Sequence, residues 1–181
     1  MVVDTGVPHA LSDGQYAARR AECEEAARQL GVPSLGQIAP PHAADADSRL
    51  RGLADPVLRR RARHVLTDCA RARAIADLLS GARHDAYQAI GDLLTEGHAS
   101  LRDDFAVSWD EADVTVETAL AAGAFGAKMI GGGFGGSVLA LVPAEAVAAV
   151  RSAVRTEFKL RAWDSPKFLD AIPSPAAHKL S

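Results

Sequence analysis

Apolar residues recur along this chain first at helical spacing and later at strand spacing, and the change falls near Gly123. Val2 and Val3 run into Asp4, Thr5, Gly6 and Pro8, which predicts a short strand followed by a loop. Ser12 and Gln15 form an S-x-x-Q capping pattern. Tyr16, Cys23, Ala27 and Leu30 then share one stripe, and Gly31 with Pro33 supplies a stop, so a first helix is expected here. Between Val32 and Gly52 the sequence is rich in Pro, Ala and Asp, with Pro40-Pro41 inside it and no sustained period. It reads as a loose excursion.

Asp55-Pro56 places a capping carboxylate before a proline, whose missing N–H costs nothing in the first helical turn. Leu58, Ala62, Val65, Cys69, Ala72, Ala76 and Leu79 follow at steps of four and three. That spacing predicts one long helix with a single buried seam, ending near Ser80-Gly81. A third helix is expected over residues 85–96 with Ile90, Leu93 and Leu94 inward. A fourth is expected from Ser108, capped through Glu111, to Gly123, with residues 98–107 between them partly extended. Beyond Gly123, Ala127–Ile130 and Ser137–Val142 read as strands around Gly131-Gly132-Gly133-Phe134-Gly135-Gly136. Pro143-Ala144-Glu145 opens a helix with Val147, Val150, Val154 and Phe158 on one face, and Phe168–Ile172 forms a last strand. Helices alternating with a modest set of strands give an α+β fold.

The 181 residues carry 20 Lys plus Arg against 23 Asp plus Glu, a formal charge of −3. Slight acidity gives no electrostatic footprint for nucleic acid. The basic concentration Arg59, Arg60, Arg61 and Arg63 reads as a solvated helix face. Cys23 and Cys69 lack the count and spacing of a metal site or disulfide framework, so both read as reduced core thiols. No run approaches the ~20 apolar residues that cross a bilayer, and the N-terminus lacks a basic-then-apolar leader. The expected address is the cytoplasm.

Gly131 to Gly136 formally contain G-x-G-x-x-G, yet a strand rather than a helix follows them, so the dinucleotide reading is rejected. Glycines bring the backbone close to a ligand and offer its N–H groups to phosphate or sugar oxygens. Five glycines in six exceed what a tight turn requires. A ligand-facing loop is therefore expected, with Phe134 as an anchor beneath it.

Residues 127–137, Ala-Lys-Met-Ile-Gly-Gly-Gly-Phe-Gly-Gly-Ser, resemble the third conserved motif of the GHMP small-molecule kinases, and specifically that of galactokinases. Asp4 to Leu11 through Tyr16 and Arg19-Arg20, Arg61-Ala62-Arg63-His64-Val65, Gly97-His98-Ala99-Ser100-Leu101-Arg102-Asp103-Asp104-Phe105 and Ala171-Ile172-Pro173-Ser174 resemble further galactokinase segments in the same order. The resemblance implies a GHMP kinase C-terminal domain over residues 53–181, with a small, mostly antiparallel sheet packed with helices. Residues 1–52 would then be strand, helix and loop from a domain junction. It also implies ATP-dependent phosphorylation of the anomeric hydroxyl of α-D-galactose with magnesium. Galactose and ATP would be the partners, and neither nucleic acid nor membrane.

Only the later half of a galactokinase is matched. The segments G-R-x-N-x-I-G-E-H, G-x-G-L-S-S-S and D-Q, which hold the family's arginine, phosphate loop, magnesium ligand and base, have no counterpart in these residues. No catalytic or metal-ligating residue is therefore assigned, and the 181 residues alone are expected to be inactive unless a separate N-terminal half joins them. The alternative is a non-catalytic sugar-binding or regulatory remnant. By resemblance Tyr16 would hydrogen-bond the sugar, and Gly131, Gly132, Gly133, Phe134, Gly135, Gly136 and Ser137 would close the site beside the nucleotide phosphate. His9, His64, His98, Arg102 and Asp103 would be structural. Ile130 stands where the family has Thr, Lys128 where it has Arg, and Asp68 where it has Glu, departures that read as drift.

Overall fold

The computed structural model describes residues 1–8, 14–40, 42, 45–81 and 86–171. The expected Ser12 cap, His9 and the chain beyond Ala171 lie outside them. Strand β1 (Val2–Asp4) is an interior strand, although it comes first in sequence. The four-stranded antiparallel sheet has the order β2-β3-β1-β4, with β2 at Gly126–Ile130, β3 at Ser137–Leu141 and β4 at Lys167–Leu169. Val3 pairs with Val138 on one side and Phe168 on the other. Strand alternation turns Val3, Val138, Ala127 and Met129 toward one face, where they are buried against α5 (Asp110–Ala121) and α6 (Val147–Leu160). Val150, Val154 and Phe158 supply the facing side from α6, as their four-residue spacing predicts.

A second core forms where α1 (Gln15–Gln29) packs on α3 (Pro56–Ser80). Helix α3 begins as expected, with Asp55 Oδ1 accepting from the N–H groups of Val57 (2.7 Å) and Leu58 (3.4 Å). Its buried face is rotated from the predicted seam. Leu58, Ala62, Leu66 and Ala70 are covered together with Arg61, His64, Thr67 and Arg71, whereas Val65 and Cys69 are half-buried and Leu79 is 64% exposed. An apolar stripe shows one face of a helix, but here a second helix and a turn cover a wider arc that includes polar residues. Arg61 in particular is not on a solvated face: its Nε donates to Glu22 of α1 (2.7 Å), and its Nη1 donates to the carbonyl of Asp104.

The stretch between Val32 and Gly52 is more ordered than its composition suggests. A 3-10 turn at Leu35–Ile38 and the short helix α2 (Ala46–Arg49) bury Leu35, Ala46 and Leu50 in the second core. The stripe on α1 does not begin at Tyr16, which is 61% exposed; Ala26 and Ala27 are its buried residues.

Helix α4 (Ala86–Ser100) runs further than expected and passes into a π-turn at Leu101–Phe105. Ile90 is buried and Leu93 and Leu94 are half-buried, because the closest approach is made by glycine. A Cβ on Gly126 would lie 1.9 Å from the carbonyl oxygen of Gly91, so α4 and β2 touch backbone to backbone. Helix α5 begins at Asp110 without the expected Ser108–Glu111 box. Ser108 Oγ donates instead to the Asp113 carboxylate, and Trp109 occupies the cap position with no side-chain cap bond.

Candidate functional site

The loop from Gly131 to Gly136 is folded by its own contacts with the protein. Gly131, Gly133, Gly135 and Gly136 have positive φ, as does Phe134 at 58°. A Cβ on Gly133 would lie 2.5 Å from Val107, and one on Gly135 would lie 2.6 Å from the Pro8 carbonyl oxygen. The N–H of Phe134 donates to Val107 O (2.9 Å) and that of Gly136 to Val7 O (3.0 Å). Thr5, itself buried, donates its hydroxyl to Gly136 O (2.7 Å) and accepts from the indole N–H of Trp109 (3.3 Å). Phe134 packs against the sheet core, and Ser137 opens β3 opposite Asp4. Three of the run's five glycines, Gly133, Gly135 and Gly136, therefore serve internal packing and turn geometry.

The other end of the loop faces a cavity of about 400 Å³, inside the ~300–1,000 Å³ range of small-molecule sites. Gly131 and Gly132 line it with Tyr16, His64, Asp68 and Lys128, from three separate stretches of chain. Gly132 faces the Tyr16 ring so closely that a Cβ there would sit 3.7 Å from Cε2. Leu101, Phe105, Val107, Met129 and Ile130 form the apolar remainder.

Electrostatics at the cavity floor are tightly arranged. Lys128 Nζ donates to Asp68 Oδ1 at 2.9 Å, lying across α4 where Gly97 leaves room for it. Burial acts to raise the Asp68 carboxyl, but the Lys128 ammonium outweighs it and holds the group below the ordinary carboxylate value. His64 stacks on Phe105 with ring centres 4.5 Å apart, and its Nδ1 lies 3.0 Å from Ser100 Oγ. Burial, with the nearby Lys128, Arg71 and Arg61 charges, pushes the imidazole down to about 4 against the pull of Asp68. It is neutral at pH 7.

Behind the floor stands a second buried histidine. The N–H of Met129 donates to His98 Nδ1 (3.3 Å), so the ring proton is on Nε2, 3.0 Å from Asp113 Oδ1. That contact sets the ring N–H beside the carboxylate, though its angle falls short of a good hydrogen bond. Arg102 and Asp103 form an exposed pair at 2.8 Å away from the cavity. His64, Asp68 and Lys128 were not foreseen as neighbours of Tyr16. The signal for them was present in the sequence, because the two shortened charged residues, Lys128 and Asp68, are each other's partners.

A family profile, that of the GHMP kinases C terminal, matches residues 78–160, which span α4, α5, β2, the glycine loop, β3 and α6. Residues 78–160 thus carry a GHMP kinase C-terminal domain. The chain is similar along nearly its whole length to curated galactokinases. It is 46% identical to that of Streptomyces coelicolor, covering 99% of this chain and 45% of the relative, and 40% identical to that of Mycobacterium tuberculosis, covering 98% and 47%. The chain also superposes on the crystal structure of Lactococcus lactis galactokinase complexed with galactose. The TM-score is 0.81 at 32% identity, covering 92% of this chain and 42% of that one. The chain thus spans less than half the length of these relatives. The α+β class and the antiparallel sheet expected from the sequence are the ones observed. No described helix is long and apolar enough to cross a membrane.

Proposed function

We propose that this chain is the C-terminal portion of a galactokinase, in which ATP phosphorylates the anomeric hydroxyl of α-D-galactose. One observation carries the reading: Tyr16 and Gly132, 116 positions apart, meet side by side at the wall of one cavity in a chain similar to galactokinases. In this reading Tyr16 holds the sugar with its hydroxyl, and the Gly131–Gly132 end of the loop closes over it. The rest of the loop is rigid already, so closing the site adds little ordering cost.

Phosphoryl transfer depends on positioning and on stabilising developing charge. The residues described here contribute positioning. We assign the arginine, phosphate loop, carboxylate base and magnesium ligands to sequence that the relatives have beyond the matched region. Among the described residues no three His, Cys, Asp or Glu side chains gather into a metal site. Magnesium, when bound with ATP, would neutralise phosphate charge.

The test is galactose-dependent ADP release by these 181 residues, alone and mixed with a separately produced N-terminal segment of the Streptomyces coelicolor relative. Turnover is expected only in the mixture. Turnover by the 181 residues alone would overturn the assignment of the catalytic groups. If the two segments co-purify and yet give no turnover, the non-catalytic remnant replaces the kinase reading.

A further inference from the structure

The cavity floor holds a histidine whose chemistry the galactokinase reading leaves unused. Ser100 has one hydroxyl proton and donates it to Asp104 Oδ2 at 3.3 Å. Toward His64 it can only accept, so the proton of the neutral imidazole sits on Nδ1, and the lone pair is on Nε2. Among the described residues, Nε2 accepts no hydrogen bond, although His64 lines the cavity. Beside it lie Asp68, an acceptor, and Lys128, a donor whose charge the Asp68 carboxylate offsets at 2.9 Å. The two charged side chains that line the floor, Asp68 and Lys128, cancel each other; Arg61 is engaged by Glu22, and the buried Arg71, which does not line the cavity, adds a positive charge 3.4 Å from Asp68. A floor with a bare lone pair, a carboxylate and a compensated ammonium suits neutral hydroxyl groups better than phosphate, which calls for uncompensated positive charge.

We propose that His64 is a sugar-recognition residue, its Nε2 accepting a hydrogen bond from a hydroxyl of the hexose in the cavity while Asp68 and Lys128 bracket the adjoining hydroxyl. The proposal rests on the galactose reading of the same cavity. It makes the floor, and not only Tyr16 and the loop, responsible for sugar selectivity. It also gives the Lys128–Asp68 pair a reason to keep both charges, because losing either leaves its partner uncompensated beside a ligand.

The test uses the full chain labelled with ¹⁵N at histidine and at backbone amides, titrated with galactose. The Nε2 resonance of His64 is expected to shift saturably as its lone pair accepts a hydrogen bond, in step with the Gly132 amide, while Nδ1 stays in place. A His64→Phe variant, which keeps a ring to stack on Phe105, is expected to bind galactose roughly three- to tenfold more weakly, the range of one neutral hydrogen bond. If Gly132 responds with the same saturation and His64 Nε2 does not move, the proposal falls and the galactose reading stands. If neither responds at saturating sugar, sugar binding by this cavity falls and the proposal with it.

Discussion

Gly132 and Gly133 are adjacent, yet their surroundings ask opposite things of a side chain. Gly133 combines φ of +90° with Val107 atoms 2.5 Å from any Cβ, whereas Gly132 offers ordinary contact distance to a movable ring. Gly133→Ala is expected to lower stability by roughly 2 kcal/mol or more. Gly132→Ala is expected to change it by less than about 0.5 kcal/mol. Urea midpoints of the two variants check the contrast. His64 makes a second residue-scale prediction. Its folded pKa of about 4 lies below the ordinary 6.5, so the unfolded chain binds the extra proton between those values. Stability is therefore expected to be undiminished by this group above pH 6.5 and to fall steadily as pH drops from 6.5 toward 4. A His64→Asn variant should show a flatter dependence across that window, and equal slopes in the two proteins would refute the assignment. Sequence reading singled out Tyr16 and the glycines for a site and gave His64 a structural role, and the fold brings Tyr16, Gly131, Gly132 and His64 to one cavity. Which face of a helix meets a cavity depends on what packs around the rest of it.

At the scale of elements, α3 was legible because its start is written chemically. Asp55 and Pro56 specify a cap and a first turn irrespective of tertiary context. Asp55→Ala is expected to cost about 1 kcal/mol, read from the shift in denaturation midpoint at constant slope. The 3-10 turn and α2 were not legible. Each is four residues long, too short to show a period, and gains its order from placing Leu35, Ala46 and Leu50 against α1 and α3. The start of α5 misled for a different reason. Ser108 and Glu111 have the right spacing for a box, but Asp113, held below the ordinary carboxylate value by His98 and Ser108 against the effect of burial, competes for the serine hydroxyl.

At the scale of the molecule, two hydrophobic clusters are joined by a buried cation. Arg61 reaches Glu22 on α1 and the π-turn carbonyl of Asp104, so it binds the helical cluster to the segment leading into the sheet. Arg61→Leu is expected to destabilise by about 2 kcal/mol, because it takes a buried donor from the Asp104 carbonyl and leaves Glu22 to Arg19 alone, 3.0 Å away. It is also expected to separate the unfolding of Trp109 and Trp163, both packed on the sheet cluster, from the loss of helical circular dichroism. Coincident transitions in this variant would show that Arg61 does not couple the clusters. The order of motifs revealed the architecture, but nothing in periodicity revealed this link, since a run of arginines reads as surface until its partners are known.

The contact of α4 with β2 has a consequence for how the protein behaves in company. β2 is an outer strand, and its outward amides at Ala127 and Met129 are received by Thr95 Oγ1 and His98 Nδ1. Open strand edges recruit other strands into aggregates. Here one side of the sheet offers such a recruit nothing to pair with at those two positions, and the opposite border, β4, is only three residues long. Colloidal behaviour in this sheet is thus tied to the side chains of a helix, and a change at Thr95 or His98 would be felt first as a tendency to clump.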